Sequence, residues 1–379
     1  MNYTLKNNGN KHSAITFNPE QVKEAVNYWT KERMEQAIPE VNEVLPESEE
    51  KECVGEAVSA TAVSVEDTKK SPFNAGGKLF YTKDGTGYVA SAEFCGDKQI
   101  ILTAAHCFYN RRKAKWAENI VFKRCYCDGT ADQVVGVQSV AVDTRYITDA
   151  DYHDYDYAFG ATEDAATGEV LGYEINSKKG TAIAYGYPTN YEGGQKMVYT
   201  EGGYSKHDKG NILEMLGNSM GGGCSGGAWV KSGTNKAISV NSFSYTSRPD
   251  DQYGPLFTSE FEALFAYAKT LIVPANSIRY FKLHNSGAFV VHMQILWRLG
   301  DKSGTYEEDG YHDICAAAER TIDMVKTGIP EGATVRLKGE VVSGDDDTAD
   351  EEFIFCEKSE KMASYKITGT VFKSKISLE

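Results

Sequence analysis

A hydroxyl at Ser225, an imidazole at His106 and a carboxylate at Asp156 are the groups through which this chain could do covalent chemistry. They lie in Leu102-Thr103-Ala104-Ala105-His106-Cys107, in Asp156-Tyr157-Ala158 and in Gly221-Gly222-Gly223-Cys224-Ser225-Gly226-Gly227-Ala228-Trp229. A serine hydroxyl is a poor nucleophile at neutral pH, so it needs a base to take its proton and an acid to orient that base. It also needs backbone donors for the negative charge that develops on the attacked oxygen. His106 fits the base, Asp156 the orienting carboxylate and Ser225 the nucleophile. The glycines let the amides of Gly223 and Ser225 point at one spot, because glycine reaches backbone angles that side chains forbid. Singly, each fragment reads as a packed histidine, a turn carboxylate or a loop; in this order they read as one acyl-transfer centre. Asp151, His153 and Asp154 compete with Asp156 by position, and Cys224 competes with Ser225.

The stretch from about Gly76 to Thr270 resembles a chymotrypsin-fold serine endopeptidase, trypsin-like and nearest the glutamyl-endopeptidase branch. Further landmarks are Gly77-Lys78-Leu79-Phe80-Tyr81-Thr82, Tyr185-Gly186-Tyr187-Pro188 and Asn241-Ser242-Phe243-Ser244. The resemblance implies two six-stranded antiparallel barrels with the site in the cleft between them, closed by a C-terminal helix. Thr258 to Thr270 suits that helix, with Phe261, Leu264, Phe265 and Ala268 on one face. In the family a buried strand follows the catalytic carboxylate; Tyr157-Ala158-Phe159 reads as that strand, which selects Asp156. The Gly-Gly placement similarly selects Ser225 over Cys224.

The resemblance also implies a protein or peptide substrate lying extended along Ser242, Phe243 and Ser244 and adding a strand by backbone hydrogen bonds. The Ser242 hydroxyl would help hold the carboxylate, and Ser219 would line the base of the primary specificity pocket. No Asp stands there to select Lys or Arg, and Asn241 replaces the His of glutamate-specific relatives, so a neutral side chain before the cleaved bond is expected. Cys224 replaces the Asp that answers a freed N-terminal amine in zymogen-activated members. Ala90 fills the position of the usual disulfide partner of Cys107, with Cys95 nearby.

The expected fold class is therefore mostly β: a double six-stranded barrel over residues 73–272, then a small immunoglobulin-like β-sandwich over 273–379. Residues 1–72 read as a leader or pro-segment, with a helix starting at Asn18-Pro19 and an acidic linker from Pro46. Val22, Ala25, Val26 and Trp29 share that helix's apolar face. The C-terminal module resembles the last domain of the thiol-activated, cholesterol-dependent cytolysins through Asn285-Ser286-Gly287-Ala288-Phe289-Val290, Trp297 and Tyr365-Lys366-Ile367-Thr368-Gly369-Thr370. Its membrane-recognition features are replaced by the acidic run Ser343 to Glu352 and by Val371-Phe372, so membrane binding is not expected and the module's ligand is left open.

Composition narrows the partners. A formal net charge of −14 argues against nucleic acid, which needs a basic face. Met1 to Asn8 lacks the apolar core of a secretory signal, although the resemblance implies export. The eight cysteines are not dense for this length. Cys125 and Cys127 lack the second pair or spaced histidines of a zinc site, so neither metal nor cofactor is expected.

Overall fold

The computed structural model describes residues 11–40, 62–310 and 312–379 in full, and of residues 4–8 and 43–45 the backbone. The linker from Pro46 through residue 61, with Cys53, lies outside the described residues. Contacts divide the chain into two units, Met1–Ile272 and Val273–Glu379.

Strands of the first barrel are rich in Val, Ile, Phe and Ala, and several are buried along their whole length, Gly76–Lys83 and Ile100–Thr103 among them. Running order around the barrel is Gln133–Asp143, Glu118–Arg124, Gly76–Lys83, Thr86–Phe94, Ile100–Thr103 and Ala158–Thr162, which pairs back onto Gln133–Asp143. Every step is antiparallel. Closure leaves no strand edge within this ring. Asp84 and Gly85, both at positive φ, make the tight turn between the first two strands in sequence.

A second curled sheet runs Gly172–Tyr173, Lys236–Val240, Ala228–Lys231, Lys179–Gly186, Val198–Lys206, Ile212–Met215, Arg248–Pro255 and Phe243–Tyr245. Ser239 Oγ donates to the Pro255 carbonyl at 2.9 Å and draws its distant strands together. The mostly β class expected from the sequence is observed, as a closed six-stranded antiparallel barrel followed by a second, curled sheet. Helix Ser259–Lys269 buries Phe261, Leu264, Phe265 and Ala268, as the periodicity predicts. Phe261 packs on Phe159 with ring centroids 5.0 Å apart, and side chains of this size stabilise by about 1.5–3 kcal/mol each when buried.

One buried group works against this core. Glu93 is fully buried; its Oε2 accepts the Ala228 amide at 3.0 Å, and its Oε1 has no partner among the described residues. Burial pushes its carboxyl well above the ordinary 4.5, against the one lowering contact from Ala228. A folded state that holds a proton more tightly than the unfolded chain loses stability as pH rises past the unfolded value. Thermal denaturation should therefore show Glu93→Gln gaining on wild type from pH 4.5 towards pH 8; an unchanging Tm difference would contradict this.

Residues 11–40 are fastened to the first barrel. His12–Thr16 pairs antiparallel with Ser139–Asp143. Helix Pro19–Tyr28 begins at Asn18, whose side chain and that of Gln21 each accept the other's backbone amide. Val22, Ala25 and Trp29 are buried, and Trp29 Nε1 donates to the Asn119 carbonyl at 2.7 Å. A second helix, Lys31–Gln36, has no buried residue and hence no apolar periodicity to announce it; Thr30 caps it. Beyond it, Ile38–Pro39 pairs in parallel with Tyr88–Val89.

The second unit has a sheet running Ser277–Ile278, Phe353–Phe355, Thr334–Val341, Val291–Leu299 and Lys302–Glu307, and another running Glu319–Asp323, Tyr280–Asn285, Met362–Thr370 and Lys373–Leu378. Phe281, Ile295, Leu337 and Tyr365, drawn from both sheets, share one core. Within the acidic run, Asp346 accepts the Val341 amide and pairs with Lys338 at 2.9 Å, and Asp347 accepts the Ile376 amide. Those carboxylates serve as turn acceptors. Among the described residues no helix is long and apolar enough to cross a membrane.

Candidate active site

Ile100–Thr103 ends in the short helical turn Ala105–Phe108, which carries His106. Its neighbour Ala158–Thr162 is preceded by Asp156, at the end of the turn Tyr152–Tyr155. Pairing of these two strands brings imidazole and carboxylate together. The His106 backbone amide donates to Asp156 Oδ1 at 2.8 Å, and the ring Nδ1 donates to Oδ2 at 2.7 Å. Ser242 Oγ donates to the same Oδ2 at 2.5 Å. Asp156 thus meets His106, whereas His153 packs its ring against Phe243.

These contacts govern the charges. Burial alone would raise the Asp156 carboxyl, but His106, the Ser242 hydroxyl and the His106 amide hold it at about 2. Burial would lower the His106 imidazole, yet the Asp156 charge outweighs it and lifts the ring well above its ordinary 6.5. The ring is thereby fixed with a proton on Nδ1. His106 Nε2 is buried and takes no hydrogen bond among the described residues.

Ser225 is fully buried. Its carbonyl accepts the Ser91 amide at 2.8 Å, and the next amide, Gly226, donates to Asn241 at 2.8 Å. A side chain at Gly226 would stand 2.0 Å from Thr103 Oγ1, and its φ is +81°, so only glycine suits this turn. Asn241 is buried rather than lining a pocket: Trp229 Nε1 donates to its Oδ1 at 2.8 Å, and its amide donates to the Tyr185 and Cys224 carbonyls. Ser219 Oγ bonds the Tyr191 hydroxyl at 2.7 Å, and Ser244 Oγ accepts from Gln252 at 3.1 Å. Cys107, Cys95 and Cys224 are not joined in disulfides; Cys95 donates to the Gly172 carbonyl and Cys224 to that of Met220.

The amide of Gly223 is already engaged. It donates to the Glu40 backbone carbonyl at 3.0 Å, while the Glu40 amide donates to the Val89 carbonyl at 2.8 Å. The Glu40 side chain is clasped by Lys83 Nζ at 2.7 Å and by the Tyr81 hydroxyl. Lys83 is 6% exposed and also reaches the His106 carbonyl. Glu43–Leu45 then runs parallel to Phe243–Tyr245, on the strand expected to hold substrate. The contact of Glu40 with Lys83 and Tyr81 escapes sequence reasoning: Lys83 is followed directly by Asp84 and Gly85 and reads as part of a polar turn, and Glu40 lies far from it along the chain.

Comparison with solved structures finds a thermostable serine protease from an extremophilic microorganism at 26% identity and a TM-score of 0.46, covering 52% of this chain and 97% of that one. The Anisep protease of Arthrobacter nicotinovorans follows at 23% identity and 0.48, covering 55% of this chain and 100% of that one. A Glu endopeptidase stands at 20% and 0.48, covering 56% and 99%. No curated protein sequence matches the chain. Residues 85–240, which include His106, Asp156 and Ser225, match the family model described as a trypsin-like peptidase domain, and that match supports a serine peptidase.

Proposed function

We propose that the first unit is a serine endopeptidase that cuts protein or peptide chains through an acyl-enzyme, and that Ile38 to Glu40 together with Glu43–Leu45 hold it latent. The observation that carries the catalytic reading is the pair of hydrogen bonds from His106, ring and backbone, to one buried carboxylate. With Nδ1 donating to Asp156, Nε2 is left as the acceptor for the Ser225 proton. Ser225 Oγ then attacks the peptide carbonyl, and His106 passes the proton to the leaving amine; water repeats the sequence to free the acid. The amides of Gly223 and Ser225 would hold the oxyanion. Ser242 keeps the carboxylate oriented, and Ser219, without a charge, suits a neutral side chain before the cleaved bond.

Latency explains two features together: Nε2 without a hydrogen bond and Gly223 occupied by a carbonyl. Catalytic hydrogen bonds commonly tighten only once substrate is bound. The parallel ladders at Ile38–Pro39 and Glu43–Leu45 are slightly less stable per residue than antiparallel ones, which suits a segment that must leave. Ser91, Thr103 and Asn241 hold the nucleophile's turn meanwhile. The C-terminal unit serves as a binding module in this reading.

A pH profile tests the catalytic part. His106 must be neutral to act as base, and Asp156 holds it protonated to a higher pH than an ordinary histidine. Peptide hydrolysis by the activated enzyme should therefore rise with pH through a midpoint above 6.5. A profile rising near pH 4, or one left unchanged by Asp156→Asn, would count against the assignment. Cleavage of a peptide library should favour neutral residues before the cut; dominance of Lys, Arg or Glu would overturn that preference.

A further inference from the structure

We propose that the C-terminal unit holds a divalent metal ion of the zinc type between His292 Nδ1, Glu307 Oε1 and His312 Nε2. The strand pattern builds the site. His292 and Gln294 lie two apart on Val291–Leu299, hence on one face, with Glu307 paired to Gln294 and Glu340 to His292 on the flanking strands. The loop after Lys302–Glu307 returns His312 over that face, its ring centroid 4.2 Å from that of His292. The three ligand atoms lie within 4.8 Å of one another. His312 Nε2 stands 2.8 Å from Glu307 Oε1, and His292 Nδ1 stands 3.8 Å from it. Tetrahedral zinc with ligands at about 2.0–2.2 Å needs donor atoms roughly 3.4 Å apart, between those two values.

Each ligand is also tied at its other end. His312 Nδ1 donates to the Gly310 carbonyl, leaving Nε2 as a lone pair. His292 Nε2 donates to Asp313 Oδ1 at 2.8 Å, leaving Nδ1. Glu307 Oε2 accepts from Gln294 at 2.8 Å, leaving Oε1. That outer arrangement, histidine to carboxylate or carbonyl on the far nitrogen, is how proteins orient metal-binding imidazoles. An imidazole nitrogen facing a carboxylate oxygen at 2.8 Å is bridged either by a proton or by a metal ion, and the third donor, His292 Nδ1, converging on the same oxygen favours the metal. Glu340 Oε2, 3.4 Å from His292 Nδ1, offers a fourth oxygen. The neighbouring exposed thiol, Cys315, takes no part.

The test uses the full chain carrying Ser225→Ala, so that self-digestion does not intrude, stripped with chelator and titrated with zinc or cobalt(II). One equivalent should bind, cobalt should give the visible absorption of tetrahedral coordination, and melting temperature should rise with zinc. Asp313→Asn should weaken binding by about 10–100-fold; His312→Ala and Glu307→Gln should weaken it more, and Cys315→Ser not at all. Circular dichroism shows whether each variant is folded. Failure of the folded chain to take up either metal would overturn the site, as would uptake unaffected by His312→Ala or abolished by Cys315→Ser. None of these readouts depends on peptidase activity.

Discussion

Ser225→Ala is expected to remove turnover, on the order of a millionfold in kcat, and to leave the residual rate due to binding and the oxyanion donors. Folding should survive, because the turn around Ser225 is fastened by backbone groups: its carbonyl to Ser91, the Gly226 amide to Asn241 and the Asn241 amide to Gly227. His106→Ala should match it in effect, since a hydroxyl without its base is as inert as a base without its hydroxyl. Combining the two should cost little more than either alone, because the residues act as one unit. Steady-state kinetics on a chromogenic peptide, with thermal denaturation of each variant, checks this. Losses that add on a logarithmic scale would mean that Ser225 and His106 do not share a step.

Glu40→Ala is expected to raise activity. The Glu40 carboxylate takes hydrogen bonds from Lys83 and Tyr81, and these fix the residue whose carbonyl occupies the Gly223 amide. A hydrogen bond to a charged group contributes about 1.5–3 kcal/mol, and each 1.4 kcal/mol is about tenfold in an equilibrium. Removal should thus increase the uncovered fraction, and with it the initial rate on a short peptide, by about 10–100-fold. Because Lys83 also donates to the His106 carbonyl, a Glu40 variant is a cleaner test than one at Lys83. Initial rates of the unprocessed chain, wild type against variant, decide the matter. An unchanged rate would remove the latency proposal and leave the catalytic one standing.

Much of this was legible in the sequence, for reasons that particular residues make plain. That His106 would meet Asp156 was implied by the resemblance, in which a buried strand follows the carboxylate as Tyr157-Ala158-Phe159 does here, and the two side chains do meet. The helix ending the first unit showed its buried face through Phe261, Leu264, Phe265 and Ala268. The Asn18 cap was legible as a cap. Glu40 was not: its grip on the site runs through a backbone carbonyl, which every residue possesses, and through Lys83, far away in sequence. Lys31–Gln36 escaped because it buries nothing. The cluster of His292, Glu307 and His312 was missed, and no metal was expected, because its members come from two strands and a loop without any regular spacing.

The central claim is that Ser225 is an activated nucleophile. Reaction of the folded Glu40→Ala chain with a fluorophosphonate, followed by mass-spectrometric mapping of the adduct, tests it most directly. The expected result is a single adduct on Ser225 that disappears in His106→Ala. Absence of an adduct, or one on another residue such as Cys224, would contradict it.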